Sequence, residues 1–177
     1  MKKRTREHFI IDGYNVINAW PQLIALRDNL SYARDQLIAA MAEYGAYEGY
    51  DVTIVFDALF TVQEETKEQV NEHLVVIYTG EGETADSYIE KLAYDLVRLG
   101  REVHVVTSDG IEQSVILGAG AYRMPSLELC RTVAKAKKKI HEDYTGPHIL
   151  PLNRRELGGR IDGETAAKLD KIRKNNK

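Results

Sequence analysis

Short apolar, β-branched runs alternate along the chain with longer stretches in which apolar residues recur every three or four positions. The runs are His8 to Ile11, Asp51 to Phe56, His73 to Tyr78 and Glu102 to Val106. Their near-continuous apolar character is that of strands covered on both faces. Between them, Ser31 to Tyr47 carries Ala33, Leu37, Ile38 and Met41 at helical spacing, and Thr84 to Leu99 carries Ile89, Leu92, Ala93 and Leu96. Gly49 follows the first stretch and Gly100 closes the second, where helices stop. The alternation predicts an α/β domain, a mostly parallel sheet flanked by helices.

After the fourth run, Asp109 to Leu117 reads as a short helix ended by Gly118-Ala119-Gly120, and Ala121 to Met124 as a short edge strand. Pro125-Ser126 opens a long helix from Leu127 to Tyr144, with Ser126 as its expected N-cap. Thr145 to Pro151, with Gly146 and Pro147, reads as an irregular linker, and a basic helix is expected from Gly163 to Lys174. A chain of 177 residues suits one domain better than two. Residues 1–144 are therefore expected to form the domain and 145–177 a basic C-terminal extension.

Cys130 is the single cysteine, which excludes an internal disulfide and any site built on paired thiols, predicts no disulfide-linked partner, and fits a reducing cytoplasm. The start Met1-Lys2-Lys3-Arg4 resembles a signal-peptide n-region, yet its apolar stretch is only Phe9-Ile10-Ile11 before Asp12 interrupts. No apolar run approaches the roughly 18 to 20 residues of a membrane span, so no membrane partner is expected. Charge is uneven: residues 1–130 hold 11 Lys+Arg against 21 Asp+Glu, a net of −10, and residues 131–177 hold 13 against 6, a net of +7. An acidic body able to hold cations is thus joined to a basic tail able to hold a polyanion.

The acids fall at telling places. Ligands of open parallel sheets bind outside the carboxyl ends of the strands. Asp12 ends the first strand, Asp57 ends the second, Asp109 follows the fourth, and Asp86 lies in the first turn of the helix after the third. Any one of them is accounted for as a turn or helix-end residue. Together they repel one another unless a cation relieves them, and oxygen-only donors suit Mg²⁺ or Mn²⁺. Such a site activates water and neutralises charge on a phosphoryl group, so phosphodiester hydrolysis follows. No Walker-type loop or Gly-x-Ser-x-Gly elbow competes for the role, and Gly118-Ala119-Gly120 ends a helix instead of opening one after a strand.

Asp12-Gly13-Tyr14-Asn15-Val16-Ile17, Val55-Phe56-Asp57-Ala58, Glu83-Thr84-Ala85-Asp86 and Thr107-Ser108-Asp109, in that order, resemble the motifs of the NYN group of PIN-like nucleases, and more closely its bacterial YacP-like members. The resemblance spans residues 8 to 140 and is weaker after Thr145. It implies a PIN-like three-layer α/β/α sandwich and a Mg²⁺- or Mn²⁺-dependent endoribonuclease. By that resemblance Asp12 and Asp86 are the principal metal ligands, Asp109 a further or water-mediated ligand, and Asp57 a ligand or an acid behind the ligands. Asn15 orients Asp12 or a phosphate, or else stabilises a turn after the first strand. The resemblance also implies mRNA on the ribosome as substrate. A net −10 body needs a positive patch to hold RNA, and Lys135, Lys137, Lys138, Lys139, Arg154, Arg155 and Arg160 are the expected contacts, the four lysines reading otherwise as a solvated helix face.

Other residues read more plainly. Glu83 and Glu112 are expected as solvated helix-end charges and Gln113 as a surface residue; His73 and His104 are expected to be structural, and Trp20-Pro21 to anchor a loop. Tyr14 either stacks a base or packs. A domain that kept the fold but lost catalysis, serving as an RNA- or ribosome-binding module, is the competing reading; the presence of all four acids argues against it. A phosphohydrolase with an aspartate nucleophile is disfavoured, since no phosphate-binding lysine follows a later strand.

Overall fold

Burial on both faces turns the apolar runs into strands. The computed structural model describes residues 6–58, 64–108 and 118–145. Along the chain come β1 (His8–Asp12), α1 (Gly13–Ala19), α2 (Pro21–Ile24), α3 (Leu30–Glu48), β2 (Asp51–Phe56), β3 (Thr66–Gln69), β4 (Leu74–Tyr78), α4 (Ala85–Arg98), β5 (Val103–Val106), β6 (Tyr122–Met124) and α5 (Ser126–Thr145). Two compact units divide the chain, Met1–Lys138 and Lys139–Lys177. The first holds the sheet; the described residues of the second are the last turns of α5. The expected helix over 109–117, the linker after Thr145, the helix over 163–174, and Asp109, Glu112, Gln113, Arg154, Arg155 and Arg160 lie outside the described residues.

The sheet runs β3-β4-β2-β1-β5-β6. Every pairing is parallel except β3 against β4. Alternate residues of each strand point to opposite faces, and two cores result. On one face Phe9, Ile11, Ile54, Phe56, Val76 and Val106 meet Val16 and Ile17 of α1, Leu37 and Met41 of α3, and Leu129 and Val133 of α5. On the other, Ile10, Val55, Ile77, Val103 and Val105 meet Ala85, Ile89 and Ala93 of α4. Helices thus cover both faces, the α/β architecture the alternation predicts. Each fully buried Leu or Ile contributes about 1.5–3 kcal/mol.

Local chemistry sets the helix ends. Asn29 caps α3 by accepting the Tyr32 N–H, and Gly49, at φ 77°, ends it in the left-handed conformation, its N–H bonded to the Gly45 carbonyl. Three features depart from expectation. The segment after β1 is helix from its first residue, with Trp20-Pro21 joining α1 to α2 and Trp20 packed against the core. Strand β3, Thr-Lys-Glu-Gln, is wholly exposed, so it carries no apolar alternation; its charges guard the sheet edge. Ser126 lies within α5 at its start, and its hydroxyl donates to Asn15 instead of capping the helix.

The connections leave β1 toward β2 on one side and β5 toward β6 on the other. Their directions diverge between β1 and β5, the place where sheets of this kind open a crevice at the carboxyl ends.

Candidate active site

At that edge Asp12 is both the last residue of β1 and the N-cap of α1, its Oδ1 accepting the Asn15 N–H at 3.0 Å. Helix N–H groups ordinarily pull a carboxyl downward. Here burial dominates and, with the negative charges of Asp86 and Asp57, pushes the Asp12 carboxyl up to about 6.

Asp57 directly follows β2, and its Oδ2 accepts the N–H of Ala85, the first residue of α4, at 3.4 Å. Thr84 caps that helix through Oγ1 to the Ser87 N–H, which sets Asp86 in its first turn with an exposed side chain. Thr79, fully buried, ties the two strand ends: its N–H donates to the Phe56 carbonyl and its Oγ1 accepts the Ala58 N–H at 3.1 Å. Strands β1, β2 and β4 therefore deliver Asp12, Asp57 and Asp86 to one edge.

Asn15 has a part that sequence reasoning placed only loosely. Its Oδ1 accepts the Ser108 N–H at 2.9 Å and the Ser126 hydroxyl at 2.8 Å, while the Ser126 N–H donates to the Ser108 Oγ at 3.3 Å. One amide thus fastens α1 to the segment leaving β5 and to the start of α5. Asn15 serves twice: its backbone N–H holds the Asp12 carboxyl, and its side-chain amide makes these long-range bonds.

His73, just before β4, and His104, early in β5, stand toward the opposite edge of the sheet. His73 pairs with Asp51 at 3.0 Å, and His104 stacks between Phe9 and Tyr122 with Glu7 at 3.2 Å from its Nε2. Lys135, Lys137, Lys138 and Lys139 have exposed side chains on α5, whose Leu129, Val133 and Ala136 face the core. Cys130 is buried in the same helix, its thiol pushed up to about 11 by desolvation.

A model of the YacP-like NYN domain family matches residues 9–174. The chain belongs to that family. A Bacillus subtilis protein, "Uncharacterized protein YacP", is 48% identical over 132 residues, 74% of this chain and 77% of the relative. A crystal structure of Rae1 (YacP) from B. subtilis has a TM-score of 0.68 at 38% identity, covering 96% of this chain and 91% of that one. A point mutant of the same protein gives 0.67 at 44% identity, covering 77% and 79%. Membership in the NYN group supports a nuclease-type, RNA-related role. No helix among the described residues is long and apolar enough to cross a membrane.

The NYN-domain edge suits a hard divalent cation. Its described donors are carboxylate oxygens, and a half-buried carboxyl pushed upward by desolvation and by two like charges is what such an ion relieves. Asp12, Asp57 and Asp86 are the described carboxylates of this edge that could hold it, although the described group whose ligand atoms all lie within 4.8 Å of one another is Glu7, Glu102 and His104.

Gly13 is required by close approach: a Cβ there would meet the Phe56 ring at 2.2 Å. Phe56 is fully buried, so the ring has nowhere to go. Gly13→Ala is expected to lose about 1–3 kcal/mol in urea unfolding and to tilt α1, while Phe56→Leu in the same chain recovers part of the loss. Undiminished stability in the single variant would remove this packing constraint.

Proposed function

We propose that the protein is a metal-dependent endoribonuclease that hydrolyses RNA phosphodiester bonds, acting on mRNA in association with the ribosome in the cytoplasm. What carries the reading is that an NYN domain brings Asp12, Asp57 and Asp86 to the carboxyl edge of its sheet, where the half-buried Asp12 carboxyl is pushed up to about 6.

Asp12 and Asp86 act as the principal ligands of Mg²⁺ or Mn²⁺, with Asp57 and Asp109 completing the set directly or through water. The ion, when bound, supplies Lewis-acid charge at the phosphoryl group and a water of lowered pKa. The chain's own residues do the rest. The start of α1 fixes Asp12 through the Asn15 N–H, and Asn15 fixes the segment after β5 from which Asp109 follows. Lys135, Lys137, Lys138 and Lys139, with Arg154, Arg155 and Arg160, attract the RNA backbone toward a body that otherwise repels it.

The test is cleavage of a labelled mRNA in a translating extract, with Mg²⁺ or Mn²⁺ against chelator, beside a ribosome-free control and the Asp86→Asn variant. Discrete cuts that need the metal and vanish in the variant are expected, and their dependence on ribosomes fixes the substrate. RNA or ribosome binding without cuts under any condition would leave a non-catalytic binding module.

A further inference from the structure

We propose that Arg34 forms, with Tyr14 and Tyr78, a subsite for a backbone phosphate of single-stranded RNA beside the acidic crevice. The inference rests on the nuclease reading only in taking RNA as the ligand.

Arg34 is half-buried on α3. Its Nη1 donates to the Tyr14 hydroxyl at 3.0 Å, and its guanidinium carbon lies 5.8 Å from the Tyr78 ring centroid, over that ring. The two tyrosines are joined through Phe56, which packs against Tyr14 at 5.1 Å and stacks on Tyr78 at 5.6 Å. Phe56 and Tyr78 face each other as the last residues of β2 and β4. Asp57 follows Phe56 directly, and Tyr14 stands two residues after Asp12. The guanidinium is therefore held at the same strand-end edge as the carboxylates.

Its partners are neutral. Among the described residues no carboxylate lies within ion-pair distance of Arg34. Among the described residues, this half-buried cation has one hydrogen bond and a ring face in exchange for part of its hydration, and no ion-pair partner. A helix start favours acids, so the position near the beginning of α3 offers it nothing either. A phosphate supplies what is missing, because the planar fork of arginine has further N–H donors for its oxygens. RNA reaching the crevice of a net −10 body needs such a cation at the point of entry. A clamp between α1 and α3 is the competing account of the Tyr14 bond, and it needs a donor but no charge.

That difference is measurable. Binding of a short, labelled single-stranded RNA to the full chain is followed by fluorescence anisotropy from about 50 to 200 mM salt, with Asp86→Asn as the non-cleaving parent. Arg34→Gln keeps a donor for Tyr14 and removes the charge. It is expected to weaken binding about tenfold and to reduce the slope of log affinity against log salt by roughly 0.7. Arg34→Lys is expected to retain the slope and lose part of the affinity.

Arg34→Gln with the parent's affinity and slope overturns the subsite, as does a parent that binds no RNA. If the protein with native Asp86 never cleaves RNA while Arg34→Gln still flattens the slope, the nuclease reading fails and the subsite stands. If that protein cleaves and Arg34→Gln cleaves with unchanged KM, the subsite fails and the nuclease reading stands.

Discussion

Asp12→Asn is expected to abolish RNA cleavage and, in the same protein, to raise the stability of the metal-free fold. The loss follows from removing a carboxylate ligand, worth several kcal/mol of charge stabilisation and so on the order of a thousandfold or more in rate. The gain follows from burial. The folded-state carboxyl sits at about 6 against an ordinary 3.8, so the native protein holds that proton more tightly than the unfolded chain. Its contribution is present at low pH and is lost as pH rises from 3.8 through about 6. Above that window the ionised group costs up to about 3 kcal/mol, which Asn does not incur. Asn also keeps an oxygen for the Asn15 N–H, and it is as good an N-cap as Asp, so α1 survives the change.

Thermal unfolding in chelator at pH 8 should place Asp12→Asn roughly 5–10 °C above wild type, and the difference should close near pH 4. Added Mg²⁺ or Mn²⁺ should then raise wild type alone, because only it binds the ion. Asp86→Asn gives the contrasting result. That side chain is exposed and sits in the first turn of α4, so cleavage should be lost with little net change in stability, the small relief of Asp12 being offset by about 0.3–1 kcal/mol from the helix dipole. Equal stability of wild type and Asp12→Asn in chelator at pH 8 would mean that the crevice carries no stored repulsion.

The acids were legible in the sequence for a reason that β3 and Asn15 make clear. A parallel sheet places all its carboxyl ends on one edge, so an Asp written after each apolar run needs no knowledge of tertiary contacts to be gathered there. That rule places Asp12, Asp57 and Asp86 at the same edge of the sheet. Strand β3 is four polar residues whose only instruction is the neighbouring β4, and no periodicity announces it. Asn15 meets Ser108 and Ser126 across 93 and 111 positions, beyond the reach of any local pattern. The same bond explains the reversed expectation at Ser126: a serine at a helix start is ordinarily a cap, yet this hydroxyl is claimed by a partner the local sequence does not contain. Arg34 gave no signal because a lone arginine on a helix looks solvated until Tyr14 and Tyr78 are seen around it.

The long-range bond yields the second large effect. Asn15→Ala is expected to leave the Asp12 cap intact, since the backbone N–H that serves it is unchanged, and to act wholly through the missing amide oxygen. The Ser126 side chain is fully buried, and it and the Ser108 N–H would each lose an acceptor. An unmet buried donor costs about 1–3 kcal/mol. The segment leaving β5, which runs on to Asp109, would also lose its tie to α1. Supporting bonds of this kind are worth about 10- to 100-fold in metal affinity or activity, and cleavage should fall by that factor at limiting Mn²⁺ and recover partly as Mn²⁺ is raised. A double-mutant cycle with Ser126→Ala isolates the bond. Asn15→Ala and Ser126→Ala should be less damaging together than their separate effects sum to, by about 0.5–3 kcal/mol, because each single change strands the other's partner. Strict additivity, with wild-type metal dependence in Asn15→Ala, would show that the crevice holds its shape without the amide and that α1 and α5 are set by core packing alone.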